Sequence, residues 1–576
     1  MQATLDELIK PHSLLRSYNA IYPGATFKPQ RNENYIVHPH ILNSKRTLPN
    51  PEVNYDPGKR IGKGPLEKFI FKQNLLSPKD YQEIARELQE TLKIPIHKDL
   101  AYASNGGTHQ SVWGRDMAAI AQAKRSTGDL MEEYLAGKMM NALYAAYNSY
   151  NERQKMHGLN GVNGQSNWAP EDGNANRTVM STKFSVNDQG DLTDLDHPWG
   201  HQQLDAFGYF LNELTTLAKK GTFDLKAKDI DARAKHGVPE NEESSLVGMV
   251  RMLKNINYTD TNDLGAWESH WQKGRLSSIA AVVSGLVSVK EYMQNKSDNE
   301  IPKIDNPEIY LNRQRFEHEL DDAIAQGKEL IQRRLNEEIL HEVPFIEGKQ
   351  AARTADAAML FMLSIADPEK IGISAQQEKK ILESIYTLMG KLGFRRFADD
   401  NYMSKNWHVN HCDPKQNHNG EFGKLEKPED AAEWSMFDPY LATVNFNIFM
   451  RSVDNLNTPD WAAFARADQH VRRALTHVTP EHFSFDRNNC EYGEDGGHQC
   501  NIITNHIKPQ QVLEAHFKIT DKNGNEAYMP GENVGLNWTK AAMSQMLSAG
   551  AKAATVYKEI APKYRKVFGE FLKNFN

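Results

Sequence analysis

The amino-acid sequence predicts an all-α protein whose helices form one large domain. About a dozen segments place apolar residues at the i, i+3, i+4 spacing of an amphipathic helix. Strict apolar–polar alternation, the pattern typical of half-buried strands, is almost absent. Long loops rich in Gly, Asn, Asp and Trp separate the helices at 158–196, 398–428 and 486–501. Since long loops in a compact domain usually carry function, we expect the functional site to be built on them.

The helices are expected to follow an irregular N-terminal arm or cap of residues 1–76, which contains eight prolines before residue 76. Ser77 and Pro78 then mark the start of a helix that runs to about Lys93, because Ser is a good N-cap and Pro suits the first turn. Residues 77–576 are predicted to form one helical domain. Its remaining helical segments are 115–150, 202–218, 243–255, 277–293, 314–335, 352–366, 375–392, 431–453, 459–478, 537–557 and 560–575.

Composition excludes several classes of protein. The chain has 576 residues, with 68 basic and 75 acidic side chains and a formal charge of −7. Nine Trp, 21 Tyr and 23 Phe provide the apolar surface that disordered chains lack. The sequence has no block of basic residues, so we do not expect it to bind nucleic acid. No apolar run approaches the roughly 18–20 residues that span a bilayer, so no membrane-spanning helix is expected. Three scattered cysteines are too few for a disulfide framework.

Location is predicted from the first twenty residues, which have no apolar core or cleavage site of a secretory signal. The sequence therefore predicts a cytoplasmic protein, or one that is exported without a cleavable signal, including delivery into a host cell. It predicts nothing about the oligomeric state.

Aromatic residues recur beside charged residues where loops meet helices. A pyranose ring has an apolar face that stacks on an indole, and hydroxyls that bind carboxylates and guanidinium groups. Hydrolysis of a glycosidic bond also needs one carboxylic acid to protonate the leaving oxygen and one carboxylate to activate water or attack. Any one such cluster could be an ordinary core aromatic, but several together favour a sugar site. The clusters lie at 111–116, 197–205, 263–269, 394–397 and 433–434.

These clusters resemble, in order along the chain, the motifs of the glucoamylase family, glycoside hydrolase family 15. The segment Trp113–Asp116 resembles the WxRD motif, and 199–205 is similar to the WG-x-x-Q-x-D segment. The segment 263–268 resembles the Trp-Glu motif, 393–397 the segment that supplies a substrate-binding Arg, and 534–538 the start of the last barrel helices. The resemblance covers residues from about 100 to 555 and implies an (α/α)6 barrel.

The resemblance assigns the general acid to Glu268. The apolar ring of Trp267 would disfavour the charged carboxylate and retain the proton near neutral pH. The general base is expected at Glu514, in the segment 508–517 upstream of the last Trp motif. Glu526 and Glu532 remain alternatives, because residues 521–526 insert a turn whose Asn-Gly pair predicts a β-hairpin.

An inverting, exo-acting α-glucoside hydrolase is the function that the resemblance implies, releasing glucose from the non-reducing ends of α-1,4-glucans such as glycogen, starch or maltooligosaccharides. An inverting pair of carboxyl groups stands about 6.5–9.5 Å apart to admit the water. No metal or organic cofactor is expected. The substrate-binding residues implied are Trp113, Arg115, Asp116, Trp199, Asp205, Trp267 and Arg396.

Other functions remain open at this stage. The segment 199–205 is closest to the glucoamylase-like domain of phosphorylase kinase α and β subunits, which predicts a non-catalytic glucan-binding or regulatory module. A trehalase or an isomalto-oligosaccharide hydrolase could use the same barrel. A zinc site is disfavoured because the spacing matches no standard pattern. Its candidate ligands would be His408, His411, Cys412, His498 and Cys500, whereas His197 and His201 more plausibly orient the pocket.

Overall fold

The protein is described from a computed structural model. The residues that the structure describes are 64–104, 111–149, 179–195, 200–239, 242–268, 271–306, 311–347, 352–405, 425, 427–456, 459–479, 483–492, 498–507, 510–520, 526–531 and 535–575. Most of them are helical, and no closed sheet occurs among them, which confirms the predicted all-α class. This is the composition that an (α/α)6 barrel requires.

The chain divides into two compact units. The central unit comprises residues 94–103 and 109–384, and the terminal unit comprises residues up to 93, 104–108 and 385–576. The helices of the central unit are α3 (Gly114–Ser126), α4 (Leu130–Asn148), α5 (Leu204–Lys219), α6 (Leu225–His236), α7 (Ser245–Asn255), α8 (Leu276–Gln294), α9 (Arg313–Leu335), α10 (Phe361–Ser364) and α11 (Pro368–Ile371). Those of the terminal unit are α1 (Glu67–Ile70), α2 (Pro78–Glu87), α13 (Phe437–Leu456), α14 (Trp461–Thr476) and α15 (Asn537–Phe575); α12 (Ala375–Tyr386) crosses the boundary.

Two rows of helices form the central unit. In the first row α3 contacts α5, and α5 packs along α8. In the second row α7 contacts both α4 and α9, while α4 packs on α3 and α9 on α8. Gly208 and Gly285 allow the close approach of α5 and α8, since a Cβ on Gly208 would lie 2.3 Å from the carbonyl carbon of Ala281. The loops that precede α3, α5 and α8 are therefore carried by three helices that pack side by side.

Helix α8 is long and apolar enough to cross a membrane by length and composition alone. In the structure, 83% of its most apolar window is buried inside the protein, as in the core helix of a soluble protein. Its apolar character is therefore explained by its place between α5 and α9.

Several helix boundaries differ from the prediction. The segment 115–150 forms two helices, because Gly128 takes a left-handed φ of +78° and Asp129 caps α4 by accepting N–H bonds from the next turn. The segments 537–557 and 560–575 form one helix, α15, which continues through Pro562. The predicted start of α2 is confirmed. Ser77 is the N-cap and forms a capping box with Asp80, and Pro78 occupies the first helical position between them.

Most of the strands are not predicted by the pattern of apolar and polar residues. The predicted loop 486–501 forms a ten-residue antiparallel pair, β7 (Phe483–Tyr492) and β8 (His498–Ile507). The hairpin predicted at the Asn-Gly pair is confirmed as β9 (Ala515–Thr520) and β10 (Glu526–Pro530), which pair antiparallel on either side of it. The short strands are β1 (Val112–Trp113), β2 (Lys183–Val186), β3 (Leu192–Thr193), β4 (Asn262–Asp263), β5 (Gln272–Lys273) and β6 (Glu433–Trp434).

A buried charge cluster joins α13 to α14 in the terminal unit. Asp438, in the first turn of α13, accepts bonds from Arg473 Nε at 2.9 Å and lies 2.8 Å from His470 Nδ1. Burial would raise the pKa of Asp438, but Arg473 and the bonds to His470 and His477 outweigh burial and lower it. The carboxylate is thus held ionised inside the protein by its partners, as a buried charge requires.

Candidate active site

The loops before α3, α5 and α8 meet at one end of the central unit. Arg115 lies in the first turn of α3 and Asp205 in the first turn of α5, and their side chains are 3.4 Å apart. Asp263, in β4, accepts the N–H of Leu204 at 2.9 Å and so joins the hairpin before α8 to the start of α5. Sequence segments up to 150 residues apart are therefore brought to a single cluster of polar side chains.

Glu268 lies on the loop between β4 and β5, in a left-handed conformation with φ +52°. Gly265 on the same loop has φ +63°, and the N–H of Glu268 donates to its carbonyl at 3.2 Å. The Glu268 carboxylate accepts the Trp113 Nε1–H at 2.9 Å and an Arg115 N–H at 3.2 Å. Hydrogen-bond donors, and not apolar groups alone, surround this carboxylate, which differs from the apolar setting expected from Trp267.

Arg115 is the centre of charge in the cluster, and its guanidinium is buried. Burial alone would lower its pKa, but the carboxylates of Asp205, Glu268 and Asp116 raise it above its ordinary value. Arg115 also donates to the Gly265 carbonyl at 3.3 Å, which ties it to the loop of Glu268. The predicted residues Trp113, Arg115, Asp116 and Asp205 thus lie together with Glu268.

Two residues of this cluster are not among the predicted site residues, although Asp263 begins the motif at 263–268. The Lys183 ammonium lies 4.4 Å from the centre of the Trp113 ring, because β1 and β2 pair these two residues directly. Burial lowers the pKa of Lys183, and its attraction to Glu268 opposes that shift. The carboxyl of Asp263 is fully buried, and burial together with the neighbouring Asp205 raises its pKa to about 6.

Trp267 does not present a purely apolar ring to Glu268. Its indole N–H donates to Asp356 Oδ1 at 2.7 Å, and its ring contacts Phe361 with the ring centres 5.7 Å apart. Asp356 is fully buried and also pairs with Arg353 at 3.1 Å. The aromatic residue beside the candidate acid is therefore fixed by a buried ion pair.

Glu342 belongs to the same buried region. It accepts the N–H and the hydroxyl of Ser277, at 3.0 and 2.6 Å, in the first turn of α8. Burial and the neighbouring Asp356 raise its pKa from 4.5 to about 8. The folded protein therefore holds the Glu342 proton more tightly than an exposed carboxyl group does.

Replacing Glu342 by glutamine is expected to change the pH dependence of stability. The folded protein holds this proton more tightly than the unfolded chain does. The resulting contribution to the free energy of unfolding is therefore complete below pH 4.5 and is lost as the pH rises through about 8. Urea denaturation should show that Glu342→Gln gains ~1 kcal/mol or more relative to the wild type between pH 5.5 and 9. The control is Glu338→Gln, whose side chain is exposed, and parallel curves for the wild type and Glu342→Gln would contradict the assignment.

Arg396 lies in the terminal unit within an aromatic cage. It forms two 2.7 Å bonds with Asp400, and its guanidinium lies 4.8 Å from the ring centres of both Tyr402 and Trp434. Asp400 follows Arg396 by four residues, a spacing that the sequence analysis did not use. The guanidinium is thus oriented before any ligand binds.

Glu514 lies directly before β9 and is 3% exposed. Its carbonyl accepts the N–H of Ser435 at 3.0 Å, and β9 pairs with β6, which contains Trp434. Trp434 also exchanges backbone hydrogen bonds with Phe394, at 2.7 and 3.2 Å. Phe394, Trp434 and Glu514 are therefore neighbours in the terminal unit.

Some predicted residues cannot be placed. Trp199, His197, Glu532 and three residues of the disfavoured zinc site, His408, His411 and Cys412, lie outside the described residues. Glu526 is the first residue of β10. Among the residues that the structure describes, no three His, Cys, Asp or Glu side chains form a group that could hold a metal ion.

No protein-family profile and no curated protein matches the chain. Solved structures of a glycosidase are similar to it at low identity. A variant of that glycosidase aligns over 83% of this chain and 98% of its own, with 14% identity and a TM-score of 0.47. The wild-type glycosidase aligns over the same shares, with 13% identity and a TM-score of 0.46.

Proposed function

We propose that this protein is a glycoside hydrolase that releases glucose from the non-reducing ends of α-1,4-glucans with inversion. The observation that carries the proposal is the environment of Glu268. A carboxyl group on a loop receives bonds from the Trp113 indole and from Arg115, which also contacts Asp205. An indole, a guanidinium and carboxylates in one cluster match the apolar face and the hydroxyl rim of a sugar ring.

Each residue takes a role from its chemistry. Glu268 donates a proton to the glycosidic oxygen as the bond to the anomeric carbon breaks. Arg115 and Asp205 hold hydroxyl groups of the terminal glucose, with Arg115 kept charged by its carboxylate neighbours. From the resemblance alone, Glu514 is proposed as the base that takes a proton from the attacking water, and Arg396 as a further ligand of substrate hydroxyls.

The proposal is tested by incubating the purified protein with maltooligosaccharides, glycogen, isomalto-oligosaccharides and trehalose. Proton NMR of the first product identifies its anomer before mutarotation. We expect glucose from the α-1,4-linked substrates, formed first as the β-anomer. First appearance of the α-anomer would exclude inversion, and release from trehalose or isomalto-oligosaccharides alone would change the substrate. Glucan binding without release from any substrate would support a regulatory module.

A further inference from the structure

The conformation of Glu268 needs support from outside its own loop. A residue other than glycine pays of order 1 kcal/mol or more to occupy the left-handed region, and stays there only where its surroundings fix it. On one side, Arg115 binds both the Gly265 carbonyl and the Glu268 carboxylate. On the other side, the loop is held by Trp267, the residue immediately before Glu268, through a hydrogen bond of its indole N–H.

The partner of the Trp267 indole is Asp356. The 2.7 Å bond from the indole N–H ends on Oδ1, while Arg353 binds Oδ2 at 3.1 Å. The backbone N–H of Ala358 donates to Oδ1 at 2.8 Å, so Asp356 is itself fixed to the start of a 3₁₀ turn, Ala357–Leu360. Because Asp356 is fully buried, water does not compete for this charge-assisted bond.

We propose that Asp356 is a positioning residue that holds Glu268 at its working position through the indole of Trp267. The inference rests on the proposed role of Glu268 as general acid. The bond to Asp356 anchors the Trp267 side chain, and its loss would let the Trp267 backbone shift together with the peptide group that joins it to Glu268. A displacement of about 1 Å of a catalytic group can cost about 100-fold in rate. Loss of the bond between Trp267 and Asp356 is therefore expected to slow proton transfer to the leaving group.

The experiment compares four variants on maltose or maltotriose: Asp356→Ala, Asp356→Asn, Trp267→Phe and the double variant Asp356→Ala with Trp267→Phe. Asparagine keeps an oxygen that can accept the indole N–H, whereas alanine removes it. The matched control is Asp229→Ala, because buried Asp229 also accepts a bond from an aromatic side chain, Tyr144 at 2.5 Å, and lies 3.8 Å from an arginine, Arg233.

We expect Asp356→Ala and Trp267→Phe each to lower kcat by about 10–100-fold. KM should change by less than about 3-fold in Asp356→Ala, whereas Trp267→Phe also alters a ring that the resemblance implies in sugar binding. The double variant should lose no more than the worse single variant, since both changes break the same bond. Asp356→Asn should recover part of kcat, and Asp229→Ala should lower the melting temperature without lowering kcat at 25 °C. Additive losses, or an Asp356→Ala variant with wild-type kcat, would overturn the inference.

A spectrum of the protein labelled with ¹⁵N-tryptophan follows the bond without activity. The Trp267 indole signal, identified by its loss in Trp267→Phe, should move in Asp356→Ala and stay in Asp229→Ala. A moved signal with unchanged kcat would show that the bond exists but does not position the acid. If the wild type hydrolyses none of the α-glucosides, the proposed function itself is wrong and the inference falls with it. If Asp356→Ala does not fold, Asp356→Asn and Trp267→Phe still decide the question through kcat.

Discussion

Glu268→Gln is expected to lower kcat on maltooligosaccharides by about 10²–10⁴-fold, the range of a lost general acid. Glutamine keeps the size and an oxygen to accept the bonds from Trp113 and Arg115, so the loss should appear in kcat and not in KM. The measurement is steady-state hydrolysis of maltotriose beside α-glucosyl fluoride. Fluoride leaves without protonation, so the variant should lose far less activity on that substrate.

The control for this comparison is Glu317→Gln, whose carboxyl is 44% exposed on α9 and pairs only at the surface. It should retain wild-type rates on both substrates. Equal losses of Glu268→Gln on maltotriose and on the fluoride would contradict the role of Glu268 as acid.

Glu514→Gln is expected to lower the rate by about 10²–10⁴-fold on both substrates, because the attacking water needs a base whatever group leaves. The two variants therefore give different patterns, one dependent on the leaving group and one independent of it. Circular dichroism checks folding, since Glu514 is buried beside β9 and its replacement could disturb the sheet.

The alternative bases are tested in parallel. Glu526→Gln should keep wild-type rates on both substrates if Glu514 is the base. Activity that survives Glu514→Gln and is lost in Glu526→Gln or Glu532→Gln would move the assignment to that residue.

Most of the central cluster could be predicted because its members stand in short motifs. Trp113, Arg115 and Asp116 are consecutive or nearly so, and the structure places them beside Asp205 and Glu268, as the order of motifs implies. Lys183 and Asp356 carry no such signal. Lys183 lies at the site because it is paired with Trp113 between β1 and β2. Asp356 lies there because it binds the indole of Trp267, which is 89 residues away in the sequence.

The fold shows where periodicity fails. The segment 483–492 contains Asp, Asn and Cys in place of regular alternation, so it resembles a loop, yet the paired backbone of β7 and β8 makes it a strand. Apolar residues continue at helical spacing across Gly128, so the sequence predicts one helix where the structure has α3 and α4. The sequence predicts separate helices at 537–557 and 560–575, whereas α15 runs through both segments and through Pro562.

The terminal unit is closed by residues that lie about 400 positions apart. Arg472 on α14 donates to the carbonyls of Phe69 and Asn74, at 3.3 and 2.8 Å, and α2 packs along α15. Asp468 accepts the N–H of Leu76 at 2.9 Å in the same clasp. During synthesis, the segment 64–93 therefore meets these partners only after residues 468–472 and α15 have been made. Because closing so long a loop costs chain entropy before its contacts form, we expect the terminal unit to fold more slowly than the central unit.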